Sequence, residues 1–338
     1  MKPSAPKTEL PSSTQLQKVV VRGWLALVLG WAATGCAMDY YVSPKGADAN
    51  PGTSTNAPFQ TLGRAAAGMV AGDNCYIRGG TYRETLTPVT SGSPPSPITF
   101  AAYNNESVTI SGADVITGWT LHAGSIYKAA MDWNLGDGFN QVFVQGQMMI
   151  QARYPNPGTD LLHPTLASLT ASATNITGSG LNQPNGFWAG GIVAGGFDAR
   201  WTFQAARITN SVPGTLSINQ PTAPWSNGSG QGFVTGVLGA LDTANEWHYQ
   251  AGLLYLWGPD GGNPSARLVE AKRRAWCVDI NNRSNIVVRG LKLFAGSVRL
   301  KGNACTLEMT PPTINQARVR WIRRALRRAT PRWGSANQ

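Results

Sequence analysis

Short apolar or alternating runs, separated by turns rich in Gly, Asn, Pro and Ser, set the pattern of this chain. Tyr40-Tyr41-Val42, Cys75-Tyr76-Ile77, Ile98-Thr99-Phe100, Val108-Thr109-Ile110, Val142-Phe143-Val144, Leu253–Trp257, Val278-Asp279-Ile280, Ile286-Val287-Val288 and Val298-Arg299-Leu300 are β-branched or aromatic and too short for helices, so they predict strands. One segment reads differently. Leu62, Ala66, Met69 and Val70 recur at helical spacing and Gly72 is a natural stop, which predicts a helix near residues 59–71. A lone helix ahead of many strands suits a cap over unpaired sheet edges.

Two strands repeat each other in a register of 20 residues. Val278 falls on Val298 and Ile280 on Leu300, the inward pair of each strand. Asp279 falls on Arg299 and Asn281 on Lys301, pointing out. Ile77 and Ile98, 21 residues apart, agree with that period. A period near 20 with Asn/Gly turns predicts a parallel β-solenoid, its coils about 4.8 Å apart. Residues 141–270 interrupt the rhythm with hairpin-like pieces such as Glu246-Trp247-His248-Tyr249 and Leu253–Trp257, and read as a β-rich insertion.

Composition narrows the classes. Gly (39) and Pro (22) make up about 18% of 338 residues and charged residues only 13%, against a coiled coil or helical bundle. Hydrophobics at 42%, with 12 Trp, exclude a disordered chain. The net charge of +11 belongs to the ends: residues 1–38 carry +3 and residues 309–338 carry seven Arg and no acid. The body between them has 17 basic and 16 acidic residues, which argues against a nucleic-acid partner. Cys75, Cys277 and Cys305 show no paired spacing, and His122, His163 and His248 are scattered, so no metal motif is read. Residues 190–196 are Gly-rich but lack the Lys-Ser/Thr of a phosphate loop.

Lys18 and Arg22 precede an apolar run of 11 residues, 23–33, too short to span a bilayer, which needs about 20. This reads as a secretory signal cleaved within 33–37. Ala33-Thr34-Gly35-Cys36 also resembles a lipobox, in which case Cys36 is lipidated and anchors the chain to a membrane; a buried N-terminal helix in a cytoplasmic protein is the third reading. After Glu308 the texture changes. Val319, Ile322, Leu326 and Ala329 share one face of an Arg-rich stretch, so a basic amphipathic helix, an anion-binding appendage and an out-of-frame read of GC-rich DNA all stay open. The out-of-frame reading makes the chain a truncated one.

Residues 40–53, Pro58-Phe59-Gln60-Thr61-Leu62 and residues 72–84 strongly resemble the N-terminal region of secreted right-handed parallel β-helix proteins of the pectate-lyase-like superfamily, in the chondroitinase B/alginate-lyase-like branch. Val142-Phe143-Val144-Gln145-Gly146-Gln147, Ala152-Arg153-Tyr154-Pro155-Asn156 and Asn285-Ile286-Val287-Val288-Arg289-Gly290-Leu291 are similar to segments of such chains. The expected fold is therefore all-β: a right-handed parallel β-helix with an N-terminal helical cap and a β-rich insertion. Its expected parts are a signal peptide (1–37), cap and first coils (38–140), insertion (141–270), further coils (271–308) and a basic tail (309–338).

The resemblance implies a secreted, monomeric carbohydrate-active protein acting on an acidic polysaccharide as lyase or hydrolase, weakly active if truncated, with a non-catalytic glycan-binding or cell-surface protein as the alternative. No cofactor is evident from the residues, and a calcium ion enters by the resemblance alone. A lyase neutralises a uronate carboxylate and removes the adjacent proton with a base, often Lys or Arg. Arg299 and Lys301 are the candidate catalytic residues, and Asp279 and Asn281 the candidate substrate contacts. The plainer reading of Asp279 and Arg299 is a ladder salt bridge. For a hydrolase, Asp132 with Asp137 and Asp242 with Glu246 are candidate carboxylate pairs, against solvated loop acids.

Overall fold

The computed structural model describes residues 36–198, 202–221 and 227–309. The expected signal segment up to residue 35 and the basic tail from residue 310 lie outside the described residues. Among those described, no helix is long and apolar enough to cross a membrane.

Strand Asp39–Val42 pairs in parallel with Asn74–Ile77, which pairs with Ile98–Ala102, then Ile286–Phe294, then Thr306–Met309. Alternation sends Val42, Cys75, Ile77, Ile98, Phe100, Ile286 and Val288 into one core, all at 1% exposure or less. The long strand Ile286–Phe294 serves two neighbours. Its first half pairs with Ile98–Ala102 and its second with Val108–Ser111, which in turn pairs with Gly80–Tyr82. Gly290 sits at the switch with φ +73°, a backbone a side chain would strain. Its missing Cβ matters twice, since it would lie 3.2 Å from the Ala102 Cβ.

The helix is shorter than expected, Leu62–Gly68. Thr61 caps it by accepting from the Arg64 N–H, and the Glu84 carboxylate accepts from the Leu62 and Gly63 N–H groups at 3.0 and 3.1 Å. Leu62, Ala65 and Ala66 face the core. Met69 is buried beyond the helix end, while Val70, assigned to the apolar stripe, is 54% exposed.

Six antiparallel strands close a barrel: Ala167–Ser172, Asn175–Thr177, Thr215–Ile218, Gln204–Val212, Ile192–Phe197 and Gly228–Thr235, the last returning to the first. Leu169, Ala171, Ile176, Val193, Phe197, Ile208, Leu216 and Val234 fill it. The seam between Ile192–Phe197 and Gly228–Thr235 is glycine-lined for a reason. A Cβ on Gly230 would meet the Gly196 carbonyl oxygen at 2.2 Å, and one on Gly232 the Ala194 oxygen at 2.4 Å.

Between barrel and parallel sheet lie two more sheets. One joins Gln147–Met148, Val142–Val144, Val269–Lys272 and Ala113–Val115; the other joins Ile150–Gln151, Glu246–Gln250, Leu253–Trp257, Ile126–Ala130 and Thr120–Ala123. Trp119, Met131, Trp247, Leu254 and Leu256 pack between them. The Arg83 guanidinium binds the nearly buried Glu270 carboxylate at 2.6 Å and ties the parallel sheet to this layer.

The right-handed parallel β-helix expected from the sequence is overturned. The protein is all-β with one helix, but it combines a closed antiparallel barrel with a parallel half-barrel, and no solenoid is built. Residues paired across the parallel sheet are separated by 35 (Asp39 and Asn74), 25 (Asn74 and Thr99), 188 (Ile98 and Ile286) and 19 positions (Val287 and Thr306). A solenoid needs a near-constant separation. The 20-residue register itself is real: Trp276–Asn281 pairs in parallel with Ser297–Lys301, Val278 opposite Val298 and Ile280 opposite Leu300. Two matching strands were local pairing, not a repeat that runs through the chain. Val278 and Ile280 are fully buried, whereas Leu300 is 45% exposed.

Candidate functional site

The side chains that alternate outward from the parallel sheet form a continuous row: Tyr41, Tyr76, Ala101, Arg289 and Glu308, each opposite the next across five strands. Asp39 and Asn74 begin the neighbouring row, joined by a 3.0 Å hydrogen bond. These rows line a groove of about 580 Å³. Three tyrosines meet at one end of it. Tyr41 and Tyr76 rings lie 5.6 Å apart at 32°, and Tyr103 turns its edge to both, at 5.9 and 6.2 Å. Edge-to-face geometry matches positive ring edges to negative ring faces and stabilises each pair by about 0.5–1.5 kcal/mol beyond area burial.

Tyr103 stands at the start of a tight turn through Asn104 and Asn105, both at positive φ, a conformation asparagine tolerates. Arg78 holds it from behind, its guanidinium 5.0 Å over the ring while Nε binds the Glu106 carboxylate at 2.9 Å. Burial, then Asp39, then the neighbouring phenols push the Tyr41 hydroxyl above its ordinary value, so it stays a donor. At the other end Arg289 is exposed and makes no ion pair among the described residues. Asp39 and Glu308 flank the groove on strands four steps apart, about 19 Å along the sheet at about 4.8 Å per step. Glycoside hydrolysis places its carboxylates roughly 5–9.5 Å apart, closer than the spacing of these two strands.

The residues singled out from the sequence lie elsewhere. Arg299 and Asp279 face each other across the pair of strands, with Nε to Oδ1 at 2.7 Å and Nη2 to Oδ2 at 2.5 Å. The guanidinium also lies 5.3 Å over the Trp276 ring. Hydrogen bonding to Asp279 raises its pKa further. This is the ladder salt bridge of the plainer reading, and it occupies the cation a substrate carboxylate would need. Lys301 is exposed opposite Asn281. Cys36 carries an exposed free thiol. Asp137 is held by Arg207. No three His, Cys, Asp or Glu side chains converge among the described residues.

Of the second carboxylate pair, Asp242 is exposed and accepts from Asn156, while Glu246 is 1% exposed. Both Glu246 carboxylate oxygens are buried, and the Asp242, Arg153 and Thr243 backbone N–H groups lie close to them without reaching good hydrogen-bond geometry. Burial, then the charge of Asp242, pushes its pKa up to about 7, against a weaker pull from nearby backbone N–H groups. A carboxyl so enclosed has no path to a polymer.

The tyrosine face was missed because its members sit in separate strands. The sequence signal was there: an outward Tyr in Tyr40-Tyr41-Val42 and another in Cys75-Tyr76-Ile77. Only the 35-residue pairing makes them neighbours.

No family model matches the chain. Over 78 residues, 23% of this chain and 16% of the relative, it is 51% identical to the uncharacterized protein YwoF of Bacillus subtilis. Over 81 residues, 23% of this chain and 20% of the relative, it is 41% identical to the pectate lyase PEL9 of Emericella nidulans. The matched stretches are thus a fifth or less of those relatives. A solved glycoside hydrolase shares the fold with TM-score 0.60 over 76% of this chain and half of its own, at 19% identity.

Proposed function

We propose that this chain is a carbohydrate-active β protein that holds a polysaccharide across the outward face of its parallel sheet. The observation that carries the reading is the tyrosine cluster of Tyr41, Tyr76 and Tyr103 in one groove with the unpaired Arg289. Aromatic rings take the apolar faces of sugar rings, and a planar guanidinium donates to their oxygens. The similarity to a pectate lyase and to a glycoside hydrolase fold supports the carbohydrate class; the chondroitinase B/alginate-lyase-like branch has no support of its own.

Asp39 and Glu308 outnumber the one unpaired guanidinium, which favours an uncharged polymer over the acidic one expected from the sequence. Binding is the reading the groove supports best, since its two flanking carboxylates stand on strands four steps apart, wider than a hydrolase pair. Export belongs to the proposal through the short apolar run after Lys18 and Arg22.

Affinity electrophoresis in gels containing xylan, galactan, polygalacturonate or alginate tests the proposal. Retardation by a neutral polymer that persists at high salt, and a loss of about tenfold in affinity (about 1.4 kcal/mol) in Tyr76→Ala, are expected. Unchanged retardation in a folded Tyr76→Ala/Tyr103→Ala variant would overturn the site. Accumulation of unsaturated uronate from polygalacturonate or alginate would replace the binding reading with a lyase.

A further inference from the structure

The two sides of the parallel sheet are finished differently. Beyond Asp39–Val42 the chain covers its own edge: the Tyr41 N–H donates to Gly52 at 2.7 Å, while the Phe59 N–H donates to Tyr41 and the Ser43 N–H to Phe59, both at 2.9 Å. At the far side, segment 297–309 runs along 276–291. Ser297–Lys301 pairs with Trp276–Asn281, the Asn285 N–H donates to the Asn303 carbonyl at 3.0 Å, and Thr306–Met309 pairs with Ile286–Phe294. Neither Ser297–Lys301 nor Thr306–Met309 has a strand on its other side among the described residues. The core is open there too. Val298, Leu307 and Met309 are only partly covered, and Leu300 is 45% exposed. An unpaired edge with apolar side chains beside it is a template for another chain.

The charges along this edge select the partner. Asp279 stands opposite Arg299, and Arg289 opposite Glu308, so the edge ends in a cation on one strand and an anion on the other. Residues 302–305 form the turn between those strands. A two-fold axis through the middle of that turn, between Asn303 and Ala304, lays a second copy antiparallel on the first. Val298 then faces Met309 of the second copy, Arg299 faces Glu308, Leu300 faces Leu307 and Lys301 faces Thr306. All four pairs agree in parity, inward with inward and outward with outward. A slip of one residue either way sets apolar side chains against charged ones. Across the junction the outward row reads Arg289, Glu308, Arg299, Asp279, alternating in sign. The Arg299 guanidinium gives Nε and Nη2 to Asp279, which leaves Nη1 for a second acid.

We propose that the edge formed by Ser297–Lys301 and Thr306–Met309 is an interface with a second copy of this chain, closed by the Arg299–Glu308 pair made twice. The same surface serves both copies, so the contact closes as a dimer and does not grow into a fibre. Antiparallel pairing gives the unpaired backbone groups their partners, and Leu300 and Leu307 join the two cores. The segment is shorter than the roughly 20–30 residues a side of a standard interface, so a weak dimer on the order of micromolar is expected. The tyrosine face lies at the opposite side of the sheet, and the dimer stands whether or not that face binds a polymer.

Sedimentation velocity of the full chain over a concentration series tests this. The wild type should pass from monomer to dimer as concentration rises. Arg299→Glu and Glu308→Arg each set like charges against each other at both pairs, so each should weaken its own dimer at least about tenfold. Mixed one to one, the two variants should associate about as tightly as the wild type, because every acid again meets a base. A chain that had lost its fold could not do this. Backbone hydrogen exchange within 297–309 of the wild type should slow as the dimer forms, a readout that needs no variant. A wild type that stays monomeric overturns the proposal, and slow exchange in 297–309 of that monomer would show the edge covered by its own chain. Equal dimerisation of both variants, or a mixture no tighter than either variant alone, would overturn it as well.

Discussion

Glu246→Gln is expected to change the pH dependence of stability in a defined direction. The folded carboxyl has a pKa of about 7 against an ordinary value of 4.5. Between those values the folded state keeps a proton that the unfolded chain releases, so the contribution of Glu246 falls as pH rises from about 4.5 to about 7 and is level outside that window. At about 1.4 kcal/mol per pKa unit the full change is about 3 kcal/mol, an upper bound. The charged groups around it are Asp242, whose charge adds to the shift, and Arg153. The Arg153 guanidinium is directed elsewhere, to the Pro155 and Thr165 carbonyls and over the Phe233 ring at 4.1 Å, and makes no salt bridge with Glu246. His248, two residues along the same strand face, acts oppositely. Held neutral by burial, it opposes folding as pH falls below its ordinary value of 6.5. His248 is common to wild type and variant, so it cancels in their difference. Urea unfolding followed by tryptophan fluorescence at several pH values from 5 to 8 measures that difference. The variant should gain on wild type steadily between pH 5 and 7, by up to about 3 kcal/mol, and no further above pH 7. A difference that does not vary with pH would refute the desolvated carboxyl.

Gly290→Ala should destabilise the protein by about 1–3 kcal/mol, because φ +73° strains a side chain and its Cβ presses on Ala102; a thermal melt reads this. Gly230→Ala should exceed about 2 kcal/mol, since the barrel seam must part to admit a Cβ 2.2 Å from a carbonyl oxygen, and an unchanged melt would contradict the close approach. Asp279→Ala and Arg299→Ala should each lower the melting temperature, with a double-mutant cycle showing coupling and glycan retardation unaffected in both.

What the sequence determined by itself was local. Strand parity follows from a two-residue period, so Val278 and Ile280 inward with Asp279 and Arg299 outward was legible, and their 20-residue pairing spans a short connection whose two strands match side by side. The helix was legible in place but overrun at its end, because Val70 continues the apolar spacing after the backbone has turned extended at Met69. The lack of a free cation at Arg299 was also foreseeable, as opposite charges in register bond to each other first. Tertiary structure decided which strands lie side by side. Ile98 finds Ile286 across 188 residues, and the barrel closes only when Gly228–Thr235 returns to Ala167–Ser172. Neither partnership leaves a trace in local pattern, because backbone hydrogen bonds carry no sequence code, and a buried strand accepts any neighbour that completes its ladder. The tyrosine face and the enclosed Glu246 and His248 are products of those long-range pairings. Each needs side chains from distant segments to shut out water or to stack, and no spacing along the chain records that.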